Sequence, residues 1–316
     1  MTDAVARGKK IKISRDFSGA NATPAPSPTC NLTRTLSCCA GRGYQVGTQG
    51  PLAHARICDC VAACPACLGR ARLMDGNHSK PCRAPMPNVV ANLINAAMIP
   101  ARYAGAEVEK FRNYSGNGHQ VIGELKAWRS RFAPGGAVAG GPGKGFIVEG
   151  PVGVGKTYLL AALAKDFAEK GWSVRFTDFF QLLGELKAGF SQGKADAAQL
   201  APLIDVDVLF IDELGKGRNN DFELTILDQL VCGRYNQNKP IIASTNYKLR
   251  GRNFEMHGNL DDAPTSSAAA FAGDRFTNLE QRIGGRIFSR LAEMCSFVEL
   301  RGDDFRREEL RRGGAY

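Results

Sequence analysis

A parallel β-sheet with helices on both faces is the α/β fold predicted for residues 146–316, and three observations carry it. The stretch Gly150-Pro151-Val152-Gly153-Val154-Gly155-Lys156-Thr157 fits G-x-x-x-x-G-K-[ST] without a mismatch. It lies between an apolar run, Gly145–Glu149, and a run with helical apolar spacing, Tyr158–Lys170. From there to Leu300, short strand-like runs alternate with helical ones, the order that places a ligand at the carboxyl ends of parallel strands. One of those runs, Val206–Ile211, ends in Asp212-Glu213. Ahead of this P-loop NTPase domain the sequence predicts a small zinc-binding module and a disordered basic arm.

Composition sets the class. Of 316 residues 44% are hydrophobic, enough for one sizeable core. No apolar run approaches the roughly 18 residues of a membrane span, and the N-terminus lacks the apolar centre of an export signal, so a cytoplasmic protein with no membrane partner is expected. The formal charge is +10; residues 1–100 hold 12 Lys and Arg against 4 Asp and Glu, so most of the excess lies outside the α/β domain. A basic segment is drawn to phosphate backbones by counterion release, or it serves only as a solvated tail. Seven of the ten cysteines fall between Cys38 and Cys82, which in a chain without an export signal points to metal and not to disulfides.

In order, residues 1–30 hold Lys9, Lys10, Lys12 and Arg15 and then a Pro/Ala/Ser-rich stretch, the predicted arm. Residues 31–86 form the zinc module, with Cys39, Cys58, Cys60, Cys64, Cys67 and Cys82 as its candidate ligands and Cys38 and His78 as further possibilities. Tight C-x2-C turns present two thiolates to one tetrahedral ion, and a following glycine lets backbone N–H groups turn toward sulfur. One site or two are both compatible with the spacing. Residues 87–145 read as a helical linker and lead-in segment, in which Tyr103 or Phe111 is placed to lie beside a nucleobase or to be plain core. After the P-loop helix come a strand at 172–176, a helix from Asp178 to Leu186, the strand ending at Asp212, a helix at 222–235 and a strand at 240–246. A long loop from Lys248 to Asn278, one helix from Leu279 to Cys295 and a last strand at 297–300 close the domain.

The chemistry follows from residue types at those strand ends. Glycines let several N–H groups of residues 150–158 point at one phosphate chain, with the helix beginning at Lys156-Thr157-Tyr158 adding its positive end. Lys156 reaches toward the β and γ phosphates, and Thr157 and Asp212 are the candidate Mg²⁺ ligands. Glu213 is placed to orient and polarise an attacking water, which favours ATP hydrolysis over transfer to a small molecule. Asn246 ends an apolar strand where it can hold that water or the γ-phosphate. Arg282, Arg286 and Arg290 recur at four-residue steps and offer one candidate for a charge supplied to a neighbouring subunit's site, or a basic stripe facing DNA.

The order P-loop, Ile211-Asp-Glu-Leu-Gly215, Ala243-Ser-Thr-Asn246 and Arg286-Ile-Phe-Ser-Arg290-Leu, with Ser296-Phe-Val-Glu-Leu-Arg-Gly-Asp-Asp-Phe-Arg306 closing it, resembles the AAA+ ATPases of the DnaC/DnaI helicase-loader and IstB transposition-helper group. The resemblance covers residues 146–306. It implies that Arg290 is the arginine finger, that Arg306 is a sensor II arginine, and that the ATP site is completed by self-association. The cysteine segment resembles DnaJ-type and DnaI-type zinc modules, with Leu36 standing where a leading cysteine belongs. Three functions are expected from this: loading of a replicative DNA helicase on single-stranded DNA, remodelling of a transposase or phage recombinase on duplex DNA, or a zinc-knuckle adaptor with a slow ATP switch.

Overall fold

The central strands of the main sheet alternate their side chains between two apolar cores. In the computed structural model, which describes residues 39–40, 42–59, 72–76, 78–81, 87–132, 144–249 and 278–311, five parallel strands form that sheet. They are β5 (Gly145–Glu149), β6 (Val174–Asp178), β7 (Val208–Asp212), β8 (Ile241–Thr245) and β9 (Cys295–Glu299), in the order β6-β7-β8-β5-β9. Phe146, Val148, Phe210 and Ile242 face one core, and Ile147, Leu209, Ile211 and Ala243 face the other. The period of two explains why these runs read as continuously apolar: both faces are covered.

The first face carries α1 (Pro87–Ala96), α2 (Gly118–Arg129) and the P-loop helix α3 (Lys156–Glu169). The second carries α4 (Phe179–Ser191), α5 (Asp196–Asp205), α6 (Asp221–Asn236), α7 (Leu279–Ile283) and α8 (Gly285–Met294). A short α9 (Phe305–Arg311) ends the described chain. Polar side chains fix the helix starts. The Asp178 carboxylate accepts the Gln181 N–H, Asn220 accepts that of Glu223, and Asn278 accepts that of Gln281.

The single helix expected from Leu279 to Cys295 is two, because Gly284 at φ 84° and ψ 145° takes a backbone conformation that only glycine adopts readily. Arg282 therefore leaves the face that Arg286 and Arg290 share. Cys295 opens β9 and does not end a helix. The sequence reading also passed over α5, which contains Pro202, and α9. A fully buried arginine closes α5: the Arg234 guanidinium donates to the carbonyls of Leu203, Ile204, Val206, Asp207 and Pro240. Burial pushes its pKa down to about 10.

A hairpin, β1 (Tyr44–Gln49) with β2 (Leu52–Ile57), is part of the first core through Tyr44, Ala53 and Ala55. It is bonded in place at several points. Ala53 N–H donates to the Ile99 carbonyl, Ala101 N–H to that of Pro51, and the Asn95 amide pairs with both backbone groups of Ala55. The Tyr44 hydroxyl reaches Glu169 on α3 at 2.8 Å. A second hairpin joins β3 (Arg72–Asp75) and β4 (His78–Pro81). The arm predicted at 1–30 lies outside the described residues, as do residues 250–277 of the predicted loop; Lys248 and Asn278, which flank the latter, are joined in a β-bridge.

Candidate nucleotide site

The P-loop runs from the end of β5 into α3, with Gly153 at φ 85° and Gly155 at φ 103°. These left-handed positions explain the glycines. They are also close-packed: a Cβ on Gly155 would lie 2.8 Å from the Phe111 ring, and one on Gly153 would collide with the Asp304 carboxylate. Lys156 is buried and its ammonium donates to the carbonyls of Gly150 and Pro151 at 2.8 and 2.7 Å. Burial lowers its pKa to about 8, against the opposing pull of Asp212 and Glu213.

Facing it, Asp212 ends β7 beside its strand partner Asp178. The Asp212 carboxylate accepts the hydroxyls of Ser244 and Thr157, and burial nevertheless raises its pKa, with Glu213 and Asp178 adding to the rise. A buried carboxylate and an alcohol meeting at one point, with two more carboxylates nearby, is a hard-oxygen donor set suited to Mg²⁺. The same Ser244 hydroxyl oxygen accepts the Glu213 N–H at 3.0 Å, so one β8 side chain fixes both acids. Glu213 itself sits at φ 54°, turning its side chain out of the strand direction, where it is ion-paired with Lys216. Asn246 follows β8 directly and is half-buried. Ser244 was not singled out in the sequence; its only signal was its place two residues before Asn246, on the strand next to β7.

Two remote segments close on the loop. Before it, Tyr103 and Phe111 pack on Tyr158 with ring centroids 6.5 and 6.1 Å apart. The Tyr103 hydroxyl is hydrogen-bonded to Thr157, and burial followed by the Asp212 charge raises its pKa. After it, Phe305 N–H donates to the Gly153 carbonyl at 3.0 Å. Arg306, on α9, is exposed but lies close enough to Tyr103 for its charge to bear on that hydroxyl. The segments are laced together. Asn113 donates to the Arg301 carbonyl, Asn117 donates to that of Glu299 and accepts the Arg301 N–H.

The three candidate finger arginines separate. Arg282 is buried; its guanidinium donates to the carbonyls of Gly215 and Gly217 and lies 5.6 Å from the Tyr247 ring centre. Arg286 and Arg290 both pair with Asp228 of α6 at 3.3 Å. Of the candidate zinc ligands, Cys39 and Cys58 are buried at the open end of the β1–β2 hairpin, and the Cys39 sulfur accepts the Gly43 N–H at 3.3 Å. Cys60, Cys64, Cys67 and Cys82 lie outside the described residues, and among those described no three His, Cys, Asp or Glu side chains gather into a group that could hold a metal ion. No described helix is long and apolar enough to cross a membrane.

A five-strand parallel sheet in this order, a P-loop leaving the strand between β8 and β9, and Asp-Glu ending β7 define a P-loop fold of the AAA+ kind. Residues 143–264 match the family described as IstB-like ATP binding protein. The Escherichia coli replicative helicase loader DnaC is 31% identical over 105 residues, 33% of this chain and 43% of the loader. An insertion-sequence ATP-binding protein of Mycobacterium tuberculosis is 32% identical over 107 residues, 33% of this chain and 41% of that protein. A crystal structure of the DnaC helicase loader superposes with a TM-score of 0.48 at 26% identity, covering 63% of this chain and 99% of that one. The chain thus spans less than half the length of the curated relatives it matches.

Proposed function

We propose that the protein is an ATP-dependent DNA replication factor of helicase-loader type, which binds and hydrolyses ATP while loading or remodelling a hexameric replicative helicase on single-stranded DNA. The observation that carries this reading is the meeting of Thr157, Asp212, Glu213 and Ser244 at the carboxyl edge of the sheet, in a chain whose P-loop domain is similar to that of a helicase loader. Bound Mg²⁺ would neutralise charge on the β and γ phosphates. Lys156 leaves its own loop's carbonyls to meet the phosphates, Thr157 and Asp212 would hold the ion, and Glu213 polarises the lytic water, with Asn246 beside it. Arg290 leaves Asp228 to act on the neighbouring subunit's γ-phosphate, and Arg306 contacts the nucleotide of its own subunit. The cysteine module, with zinc on some set of Cys39, Cys58, Cys60, Cys64, Cys67 and Cys82, docks on the helicase. Its zinc content is read directly by metal analysis of the purified chain, for which about one or two ions are expected and none would remove the module from the proposal.

The test is affinity capture with Glu213→Gln, which traps the ATP-bound complex. Recovery of the host's replicative helicase in an ATP-dependent way is expected. Recovery of a transposase in its place favours the second reading, an IstB-like or phage-encoded helper acting on a recombinase and duplex DNA, to which the family match over residues 143–264 lends weight. Recovery of neither sinks both.

A further inference from the structure

The Glu213 carboxylate is engaged by a cation of its own loop. The Lys216 ammonium pairs with the Glu213 carboxylate, and the Lys216 N–H donates to the Glu213 carbonyl at 2.9 Å, closing a tight turn. An exposed ion pair three residues apart is ordinarily of little consequence. This one is built in. The Glu213 N–H is fixed by Ser244, the Leu214 N–H and carbonyl by Ser244 and Thr245 of β8, and the carbonyls of Gly215 and Gly217, on either side of Lys216, by the buried Arg282. Glu223 holds the next turn through the N–H groups of Arg218 and Asn219. Both ends of the pair therefore hang from an immobilised backbone. The Glu213 carboxylate, with the fields of Asp178 and Asp212 behind it, favours the charged form of the Lys216 ammonium.

We infer that Lys216 is a positioning residue that parks the Glu213 carboxylate away from the attacking water, so that hydrolysis requires the pair to open. The inference rests on the hydrolytic reading above. A carboxylate whose oxygen is held by an ammonium is a poorer acceptor for a water proton, so parking suppresses turnover without touching the phosphate cradle. Lys216 is the more exposed partner, with 52% of its side chain accessible against 30% for Glu213, and is the end that an arriving phosphate or a neighbouring acidic group can draw away.

Steady-state turnover of the full chain tests it, with Lys216→Ala and Lys216→Arg beside the native protein. Removal of the ammonium is expected to raise basal kcat several-fold with KM for ATP and the affinity for a fluorescent ATP analogue unchanged, and arginine to restore the native rate. An unchanged kcat overturns the inference, and a fall in kcat assigns Lys216 a direct part in stabilising the phosphates. A second measurement does not depend on turnover: mass-spectrometric labelling of the Lys216 amine in nucleotide-free protein is expected to be several-fold faster in Glu213→Gln than in the native chain, and equal rates overturn the pairing. Nucleotide binding without turnover in all three proteins sinks the hydrolytic reading instead, and the labelling then decides the pairing alone.

Discussion

The rings of Tyr114 and Phe305 stack 5.5 Å apart and within 16° of parallel, joining the segment before the P-loop to the segment after the last strand. Asp303 N–H donates to the Tyr114 carbonyl at 3.1 Å beside them. Because the same two segments press Phe111 and Asp304 against Gly155 and Gly153, the stack holds the nucleotide loop between its flanks. Tyr114→Ala is expected to cost about 1–2 kcal/mol of stability, an aromatic pair plus part of its burial. Nucleotide affinity should weaken with it, as isothermal titration checks; an unchanged affinity would separate the clasp from the loop.

Asp212 is a carboxylate whose pKa burial raises, so the sign of its linkage is fixed. The folded chain binds its proton more tightly than the unfolded chain does. Stability from this group is therefore full below the ordinary carboxylate value and is lost as pH rises through the raised one. At neutral pH Asp212→Asn should raise the Tm of the nucleotide-free protein while abolishing metal-dependent ATP binding. Thermal melts with and without Mg²⁺ and ATP read both effects. Destabilisation in the nucleotide-free protein would count against the account of the site.

Lys156, at about 8, is charged near neutrality and loses its proton just above it. The affinity of the nucleotide-free protein for ATP should fall as pH climbs from 7 to 9, and Lys156→Arg should flatten that dependence because guanidinium keeps its proton. Fluorescent-nucleotide titrations across that range make the measurement.

The three arginines should behave differently in mixed assemblies. Arg282 bonds carbonyls of its own chain, so its loss damages the site of the subunit that carries it. Arg290, if it acts across the interface, damages the neighbour's. Mixing Arg290→Ala with Glu213→Gln subunits is expected to restore part of the ATPase, as is mixing Arg290→Ala with Arg282→Ala. A mixture of Arg282→Ala with Glu213→Gln should stay inactive.

Arg234→Met tests the fold and not the chemistry. Its buried guanidinium serves five carbonyls, and their loss of a charged partner is expected to cost about 3–5 kcal/mol in denaturant unfolding. A cost below about 1 kcal/mol would mean that water replaces it.

What the sequence disclosed was whatever depends on adjacent residues. Gly150 to Thr157 must be contiguous to curl around a phosphate, and Asp212 must follow an apolar strand, so both are legible in one dimension. Ser244, Lys216 and Arg282 act through register and turn geometry. That Ser244 lies between Asp212 and the Glu213 amide follows from β8 lying beside β7, and strand order is not written in any one strand. The break at Gly284 was hidden because a Gly-Gly pair inside helical spacing is tolerated as often as it is decisive. α5 has no signal of its own because nothing in Asp196–Asp205 caps it; the carbonyls of Leu203 and Ile204 at its end are satisfied by Arg234, 31 and 30 residues away.

The β1–β2 hairpin is tied to the nucleotide loop through a short run of chain. Its turn at Pro51 is bonded to Ala101, and two residues later the Tyr103 hydroxyl meets Thr157. Binding at the one end and nucleotide at the other therefore share a single short strut. Free-energy reciprocity then applies without any further mechanism: a molecule that grips the hairpin and alters ATP affinity by some factor has its own affinity altered by ATP by that same factor. The coupling can be measured from whichever end is easier to titrate.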